Sequence, residues 1–443
     1  MTTQPLSLVA GFDRSLAWCR GDSVRYLVVD LAVANVLPDE KAVSPKLNLA
    51  FVVDCSGSME GDRLRAAKAA VVGVVERLPE GTVLSLVSFA STAQNHCERV
   101  EITASNRTEI IQKIGSLTAR DSTNLAAGWL QGAELVALEM NARPSASHRV
   151  VVLSDGKANN GIVDPGSLAR HAGELRKRGL NTSTVGIGDD YQHSLLQVIA
   201  DQGGGRMHDA ATPDEIVEVF LGELQQIVNV AAEGIELEIE YPPGVEIGAL
   251  GGHPCERRGG KVICSLGSLL AGTTRRAVLK VTCPEGTISS KLTFTVQARY
   301  RQRGGAEPVT TAAVTCGLTY ATGQENTGQP RDIVRSLEVA RLWQAHIVRR
   351  VTELNTDHLF NEATDYIDRE IRYFRRFCNG LEGTGELIAE LELTRDAASR
   401  PWSPRAQKEV LRASVCAAKQ EPDYRSAPRR RWSAYLAEST EQP

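Results

Sequence analysis

The sequence predicts an α/β fold: a doubly wound, mostly parallel sheet inserted in a β-sandwich and followed by a helical C-terminal region. Three observations carry that expectation. Between residues 46 and 229, strand-like apolar runs alternate with amphipathic helical stretches, the pattern of right-handed crossovers with helices on both faces of a sheet. The segments on either side read as strands separated by turn-rich pieces, as in an all-β sandwich. Beyond residue 330 the apolar period lengthens to that of amphipathic helices. The expected division is 1–45 and 230–322 for the sandwich strands, 46–229 for the inserted α/β unit and 330–443 for the helical region.

Taken in order, "VRYLVVDLAVANV" reads as a strand ahead of the insertion. Inside the insertion, "LNLAFVVD" is a buried strand and "GDRLRAAKAAVVGVVERL" a helix. "TVLSLVSFA" and the more exposed "HCERVEI" are strands, and "NRTEIIQKIGSL" and "TNLAAGWLQGAELVALEM" are helices. "RVVVLSDG" and "NTSTVGIG" are strands on either side of a helix in "DPGSLARHAGELRKRG". "YQHSLLQVIADQ", "GRMHDA" and "PDEIVEVFLGELQQIV" complete the unit as helix, short strand and helix.

After it, Ile235, Leu237, Ile239 and Tyr241 alternate with Glu236, Glu238 and Glu240, a strand with one wet face. "RRAVLKVTCP", "KLTFTVQARYRQ" and "VTTAAVTCGLTYA" are further strands, with "GALGGHP" and "RQRGGAEP" as turns. "TGQENTGQPRD" is a polar linker. Ile333, Leu337, Ala340, Gln344, Ile347, Val351 and Leu354 then mark one face of a long helix, and "DHLFNEATDYIDREIRYFRRF" is a second, stopped by Gly380. Two shorter helices follow in "GELIAELELTRDA" and "PRAQKEVLRASVCAAKQ".

Bulk properties exclude several classes. With 443 residues, 42% hydrophobic and 23% charged, the chain is an ordinary globular sequence long enough for several cores. A formal charge of -4 gives no overall pull toward nucleic acid or anionic lipid. Nine widely spaced cysteines without a CxxC pair argue against a disulfide scaffold or a cysteine zinc site and fit a reducing compartment. No secretory leader is visible at the start, and no run approaches the ~18 apolar residues of a membrane helix. The expected location is cytoplasmic, with no nucleic-acid or membrane partner.

The chemistry gathers after the first strand of the insertion, in "VVDCSGSMEG". In open parallel sheets, ligands bind beyond the carboxyl ends of the strands, where the strand order reverses. The first and fourth strands flank that crevice in the doubly wound order, and they end at Asp54 and Asp155. Thr123, in "RDSTNLAAG", lies in the loop that opens an intervening helix. Two carboxylates and the hydroxyls of Ser56, Ser58 and Thr123 therefore converge on one point. An all-oxygen donor set with few charges suits Mg²⁺, with Mn²⁺ or Ca²⁺ as alternatives. Alternate spacing turns both serines toward the ion, and Gly57 keeps the turn between them unobstructed.

This DxSxS…T…D arrangement resembles the von Willebrand factor type A domain and its metal-ion-dependent adhesion site. The resemblance covers residues 46–229 and implies that Asp54, Ser56, Ser58, Thr123 and Asp155 are the metal set, completed by an Asp or Glu of a protein partner. Asp121 and Ser122 depart from the glycines that many members place before the threonine, and Asp121 adds negative charge near the ion. Cys55 lies inside the motif with its side chain expected to point away. The flanking strands and helical tail are similar to bacterial intracellular members of the superfamily, which accompany ATPases, kinases or proteases in stress and defence systems. The implied function is a non-catalytic, Mg²⁺-dependent interaction module.

Other features weigh less. Met59 beside the site is read as an exposed loop residue or a partner contact. His358, Glu362 and Asp365 share a helix face and read as solvated charge, as does "APRRRW" at 427–432, because residues 331–443 hold 19 Lys and Arg against 18 Asp and Glu. "GGGRM" lacks the Lys-Ser/Thr of a phosphate loop and reads as a turn. Two alternatives stand beside the interaction module. One is a metal-dependent phosphohydrolase with Asp121 as base, weakened by serine at position 56 where a second acid is wanted. The other is a scaffold acting through the sandwich and helical tail.

Overall fold

Strands from both flanks of the α/β unit pair with each other. In the computed structural model, which describes residues 6–33, 47–120, 122–144, 146–155, 158–188, 193–210, 217–218, 230–251, 253–302, 307–419 and 436, β1 (Ser7–Phe12), β2 (Leu16–Trp18) and β3 (Arg20–Ala32) precede the insertion. After it come β10 (Val230–Glu240), β11 (Glu246–Leu250), β12 (Cys255–Arg258), β13 (Lys261–Leu270), β14 (Thr274–Glu285), β15 (Lys291–Gln302), β16 (Pro308–Thr310) and β17 (Val314–Ala321). A four-stranded sheet runs β1-β3-β14-β11, and a larger one runs β12-β13-β10-β15-β17-β2 with β16 beside β15. Each sheet therefore mixes early and late strands. Their inner faces close one core, in which Leu27, Val29, Leu279 and Val281 meet Leu237, Ile239, Phe294 and Val296.

The insertion contributes β4 (Leu47–Asp54), α1 (Asp62–Arg77), β5 (Val83–Phe89), β6 (Ala93–Glu101), α2 (Arg107–Gly115), α3 (Leu125–Met140), β7 (Ser147–Ser154), α4 (Pro165–Lys177), β8 (Leu180–Ile187), α5 (His193–Gln202) and β9 (Gly204–Ala210). Its sheet has the order β6-β5-β4-β7-β8-β9, parallel except for β6 against β5. Successive β4 side chains divide between two cores: Leu49, Phe51 and Val53 join α1 and α2, whereas Ala50 and Val52 join α3, α4 and α5. Close approach of α3 to the sheet requires glycine. A Cβ on Gly128 would lie 2.4 Å from the Phe89 ring, and one on Gly132 2.4 Å from Val52 Cγ2. The helix expected in "PDEIVEVFLGELQQIV" lies outside the described residues apart from 217–218.

The C-terminal region comprises α6 (Gly323–Gly328), α7 (Ile333–Thr356), α8 (Phe360–Cys378), α9 (Gly385–Ala398) and α10 (Pro404–Lys419). Its core takes in Tyr26 and Val28 of β3, Val278 of β14 and Leu250 of β11, so it covers the outer face of the four-stranded sheet. That explains the unbroken burial of β3 from Tyr26 to Asp30's neighbour Val29: odd and even residues serve different cores. Gly380 follows α8 with φ +72°, the left-handed stop that its position predicts. Among the described residues, no helix is long and apolar enough to cross a membrane.

Several expectations need correction. The polar linker contains α6, organised by a capping box in which Thr322 and Glu325 satisfy each other's backbone amides. β11 occupies the start of the supposed turn "GALGGHP", and β1, β2, β12 and β13 are strands that sequence reasoning missed, although Val262, Cys264 and Leu266 of β13 alternate toward the core. Ile333 is 51% exposed rather than buried, because α7 starts there. Cys255 and Cys264 form a disulfide, against the expectation of a reducing compartment drawn from the cysteine spacing. The hairpin at Gly259–Gly260 sets them directly opposite each other on β12 and β13, with 4.1 Å between Cα atoms.

Candidate metal centre

Asp54 is the last residue of β4 and Asp155 immediately follows β7, its neighbour in the sheet. Both carboxylates are fully buried. Asp54 is held from two sides. The Ser56 amide donates to Oδ1 at 2.8 Å, and the Ser154 hydroxyl donates to Oδ2 at 2.5 Å. Past Asp54 the chain enters a short 3-10 turn, Gly57–Met59, which brings the Ser56 and Ser58 hydroxyls to 3.2 Å from each other.

Thr123 is brought to the same sheet edge by backbone bonds. The Arg120 amide donates to the Cys55 carbonyl at 2.6 Å and the Asn124 amide to Ala90 at 2.7 Å, so this loop crosses the ends of β4 and β5. Asn159, from the loop after β7, accepts from the Thr123 amide at 2.9 Å and the Ser122 hydroxyl at 3.2 Å. The amides of Asn159 and Asn160 in turn donate to the Thr123 carbonyl. Asn124 caps α3 by accepting from the Ala127 amide. Ser122 has φ +60°, the left-handed conformation in which glycine is free of strain and serine is not. Asp121, expected to add charge here, lies outside the described residues.

Arg63 is the partner that sequence reasoning missed. It stands in the first turn of α1, where the helix dipole disfavours a cation. Its guanidinium donates to Asp155 Oδ2 at 3.3 Å and to the Ser58 carbonyl at 3.1 Å. It also crosses Gly188 at the end of β8, where a Cβ would lie 2.9 Å from Nε. The Gly188 carbonyl accepts from Lys408 Nζ of α10 at 3.3 Å. The helical region thus reaches to one residue from the site. Ser154 was also missed, although it adjoins Asp155 in "LSDG".

The electrostatics favour a cation. Burial pushes the Asp54 carboxyl up to about 6, the nearby Asp155 charge adds to the rise, and the bonds from Ser154 and Ser56 oppose it. Two buried acids side by side are costly, and the Arg63 guanidinium beside Asp155 offsets part of that cost. Two details differ from expectation and one agrees. Met59 is fully buried in the core beneath α1, because the 3-10 turn rotates it inward. Gly57 has no steric role, since a Cβ there would meet only the Arg120 carbonyl at 3.7 Å. Cys55 packs into the core as expected, and burial pushes its thiol up to about 11, which keeps it protonated.

Elsewhere, His358, Glu362 and Asp365 are all exposed, and among the described residues no three His, Cys, Asp or Glu gather around one point. Gly203 and Gly204 make a turn into β9, as read from "GGGRM". "APRRRW" lies outside the described residues.

Residues 48–222 match the family model of the von Willebrand factor type A domain. This chain carries a type A domain. An uncharacterised Escherichia coli protein, YfbK, is 31% identical over 201 residues, 45% of this chain and 34% of that protein. Inter-alpha-trypsin inhibitor heavy chain H1 of Sus scrofa is 25% identical over 230 residues, 50% of this chain and 25% of that one. The chain thus spans a quarter to a third of the length of these two curated relatives.

Among solved structures, a von Willebrand factor type A protein from Catenulispora acidiphila aligns over 94% of this chain and 97% of its own, with a TM-score of 0.68 at 15% identity. The ArnB paralog VWA2 from Sulfolobus acidocaldarius aligns over 93% and 99%, with a TM-score of 0.58 at 15% identity. At such identities the likeness establishes fold alone, but it extends beyond the type A domain to nearly the whole chain. Type A domains commonly serve as metal-dependent protein-interaction modules and are mostly non-catalytic.

Proposed function

We propose that this protein is a non-catalytic recognition module that engages a protein partner through a divalent cation, Mg²⁺ foremost, held by Asp54, Ser56, Ser58, Thr123 and Asp155. One observation carries the reading: the Ser56 and Ser58 hydroxyls stand 3.2 Å apart beside fully buried Asp54, with buried Asp155 on the adjacent strand. The donor set is all oxygen and carries only two carboxylates, which fits a hard ion that retains water. When bound, the cation supplies an electrophilic centre for an Asp or Glu side chain of the partner. Ser154 and the Ser56 amide fix the orientation of Asp54. Arg63 supplies positive charge beside Asp155 and thereby sets how strongly a metal is drawn to the site.

We further propose that the module works alongside an ATPase, kinase or protease of a bacterial stress or defence system, although the Cys255–Cys264 disulfide removes the cysteine argument for a reducing compartment. Titration with Mg²⁺ should raise the melting temperature of the full chain by about 2–4 °C, and Asp54→Ala should abolish the rise. A full shift retained by that variant would refute the site. Capture of an acidic partner should likewise fail in EDTA, and capture that ignores the chelator would favour the scaffold alternative instead.

A further inference from the structure

The opposite edge of the type A sheet faces the sandwich across a cleft of about 410 Å³. One wall is the α4–β8 turn, with Arg176, Arg178 and Gly179, together with Gly204 at the start of β9. The other wall is built by β10, β13 and β15, with Glu236, Ser265, Ser268, Arg299 and Arg301. We propose that this cleft binds a small, multiply charged phosphate compound.

The charge census comes first. Arg176, Arg178, Arg299 and Arg301 line one cavity, and among the described residues none of them forms an ion pair. Lys177 pairs with Glu174, and Glu236 is the single carboxylate on the lining. Four guanidinium groups facing one carboxylate on the lining repel one another, so their convergence favours an anion from outside the chain. Guanidinium groups in particular present planar forks that match phosphate oxygens.

The walls are also shaped for it. The pairing of β10 slips against β13 between Ala232 and Glu236, and against β15 between Glu233 and Glu236. Gly234 and Gly267, with φ +59° and +75°, sit in these irregularities and on the cleft lining. A Cβ on either would meet nothing, so backbone conformation rather than crowding calls for glycine there. Bulges of this kind re-aim side chains and concentrate beside functional sites. The arginines cross between the two units as well: a Cβ on Gly179 would lie 2.9 Å from Arg301 Nη2.

Size and charge select the ligand. The volume suits a small molecule, and the lining offers arginines, serine hydroxyls and Asn181 but only one aromatic ring, Tyr300. Past Arg176 a second recess of about 430 Å³ sets Glu174, Glu236 and Glu256 beside Arg170, Arg176 and Lys177, so the excess of positive charge is confined to the first cleft. A chain of phosphates fits that confinement.

The test is calorimetric titration of the full chain at low salt with sodium tripolyphosphate and, separately, with ATP. EDTA throughout keeps metal chelation by phosphate from imitating binding and separates this site from the Asp54 centre. Saturable binding of tripolyphosphate is expected. Equal affinity for ATP assigns recognition to the phosphate chain, and tighter ATP binding adds a nucleoside contact. Arg299→Glu and Arg301→Glu should each weaken binding by about tenfold or more. Arg299→Lys keeps the charge but loses the fork and should weaken it severalfold, a readout that survives if a reversal variant fails to fold. Absence of binding by either compound, or binding indifferent to all three substitutions, would overturn the proposal.

Discussion

The two edges of the type A sheet are electrostatic opposites. At the carboxyl edge, Asp54 and Asp155 are buried with Arg63 as the cation bonded to Asp155. At the amino edge, four arginines surround a cleft that holds one carboxylate. Strands of eight residues separate the two by about 25 Å, well beyond the screening length of physiological salt, about 8 Å. Each edge therefore acts on its own neighbours. The difference teaches how one sheet can present two unrelated chemistries: distance and solvent screening separate the fields, while a rigid core holds both sets of loops in place.

The largest effect should come from striking what both edges share. Gly132→Val places methyl groups where Val52 already stands, at an expected cost of about 3 kcal/mol. Thermal unfolding should register that as a fall of roughly 6–12 °C, with loss of metal response and phosphate binding together. Loss at one edge alone would show that the core does not couple them.

Next come the variants that separate the edges. Asp54→Ala should remove the Mg²⁺-dependent stabilisation and leave tripolyphosphate binding intact, and Arg301→Glu should do the reverse. Either variant affecting both readouts would break the comparison.

Smaller effects sharpen it. Arg63 competes with any cation for Asp155, so Arg63→Ala should tighten Mg²⁺ binding about three- to tenfold by calorimetry. Weaker binding in that variant would instead make Arg63 a support for the site. Lys408→Ala, which removes the contact to Gly188 behind Arg63, should change Mg²⁺ affinity by less than about threefold.

His148 reports on the amino edge through pH. Burial, with the Arg301 charge as the next cause, pushes its imidazole down to about 4. The folded state then binds fewer protons than the unfolded one, whose ordinary value is 6.5. Stability contributed by neutral His148 is thus present above pH 6.5 and is lost as pH falls from there toward 4, by roughly 3 kcal/mol at most. Arg301→Glu should raise the His148 value in an NMR titration, so that the loss becomes smaller and is complete at a higher pH. An unmoved value would mean that burial alone sets it.

Much of the carboxyl edge was legible because its polar residues are local. Asp54, Ser56 and Ser58 fall within five consecutive residues at a strand end, and the topology rule for parallel sheets placed Asp155 beside them. Arg63 was not legible. An arginine near a helix start carries no signal of its own, and its reach to Asp155 depends on the angle at which α1 packs. Met59 went wrong for a related reason, since a turn of one residue more or less decides whether a methionine faces water or the core. The cleft is harder still, drawing on residues 176–181, 234–236, 265–268 and 299–301 without a motif in any of them.

What the sequence determined by itself is the set of elements with regular period, the insertion of an α/β unit between sandwich strands, and the placement of Asp54, Ser56, Ser58, Thr123 and Asp155 along one sheet edge. These are written in spacing, and spacing acts through neighbours along the chain. The tertiary structure alone decided the partner of Arg63, the burial of Met59, the disulfide between Cys255 and Cys264, and the gathering of four arginines from two units. Each depends on register or packing angle between segments far apart in sequence. Such contacts form only when cores shared by many residues close, so no short stretch of chain contains them.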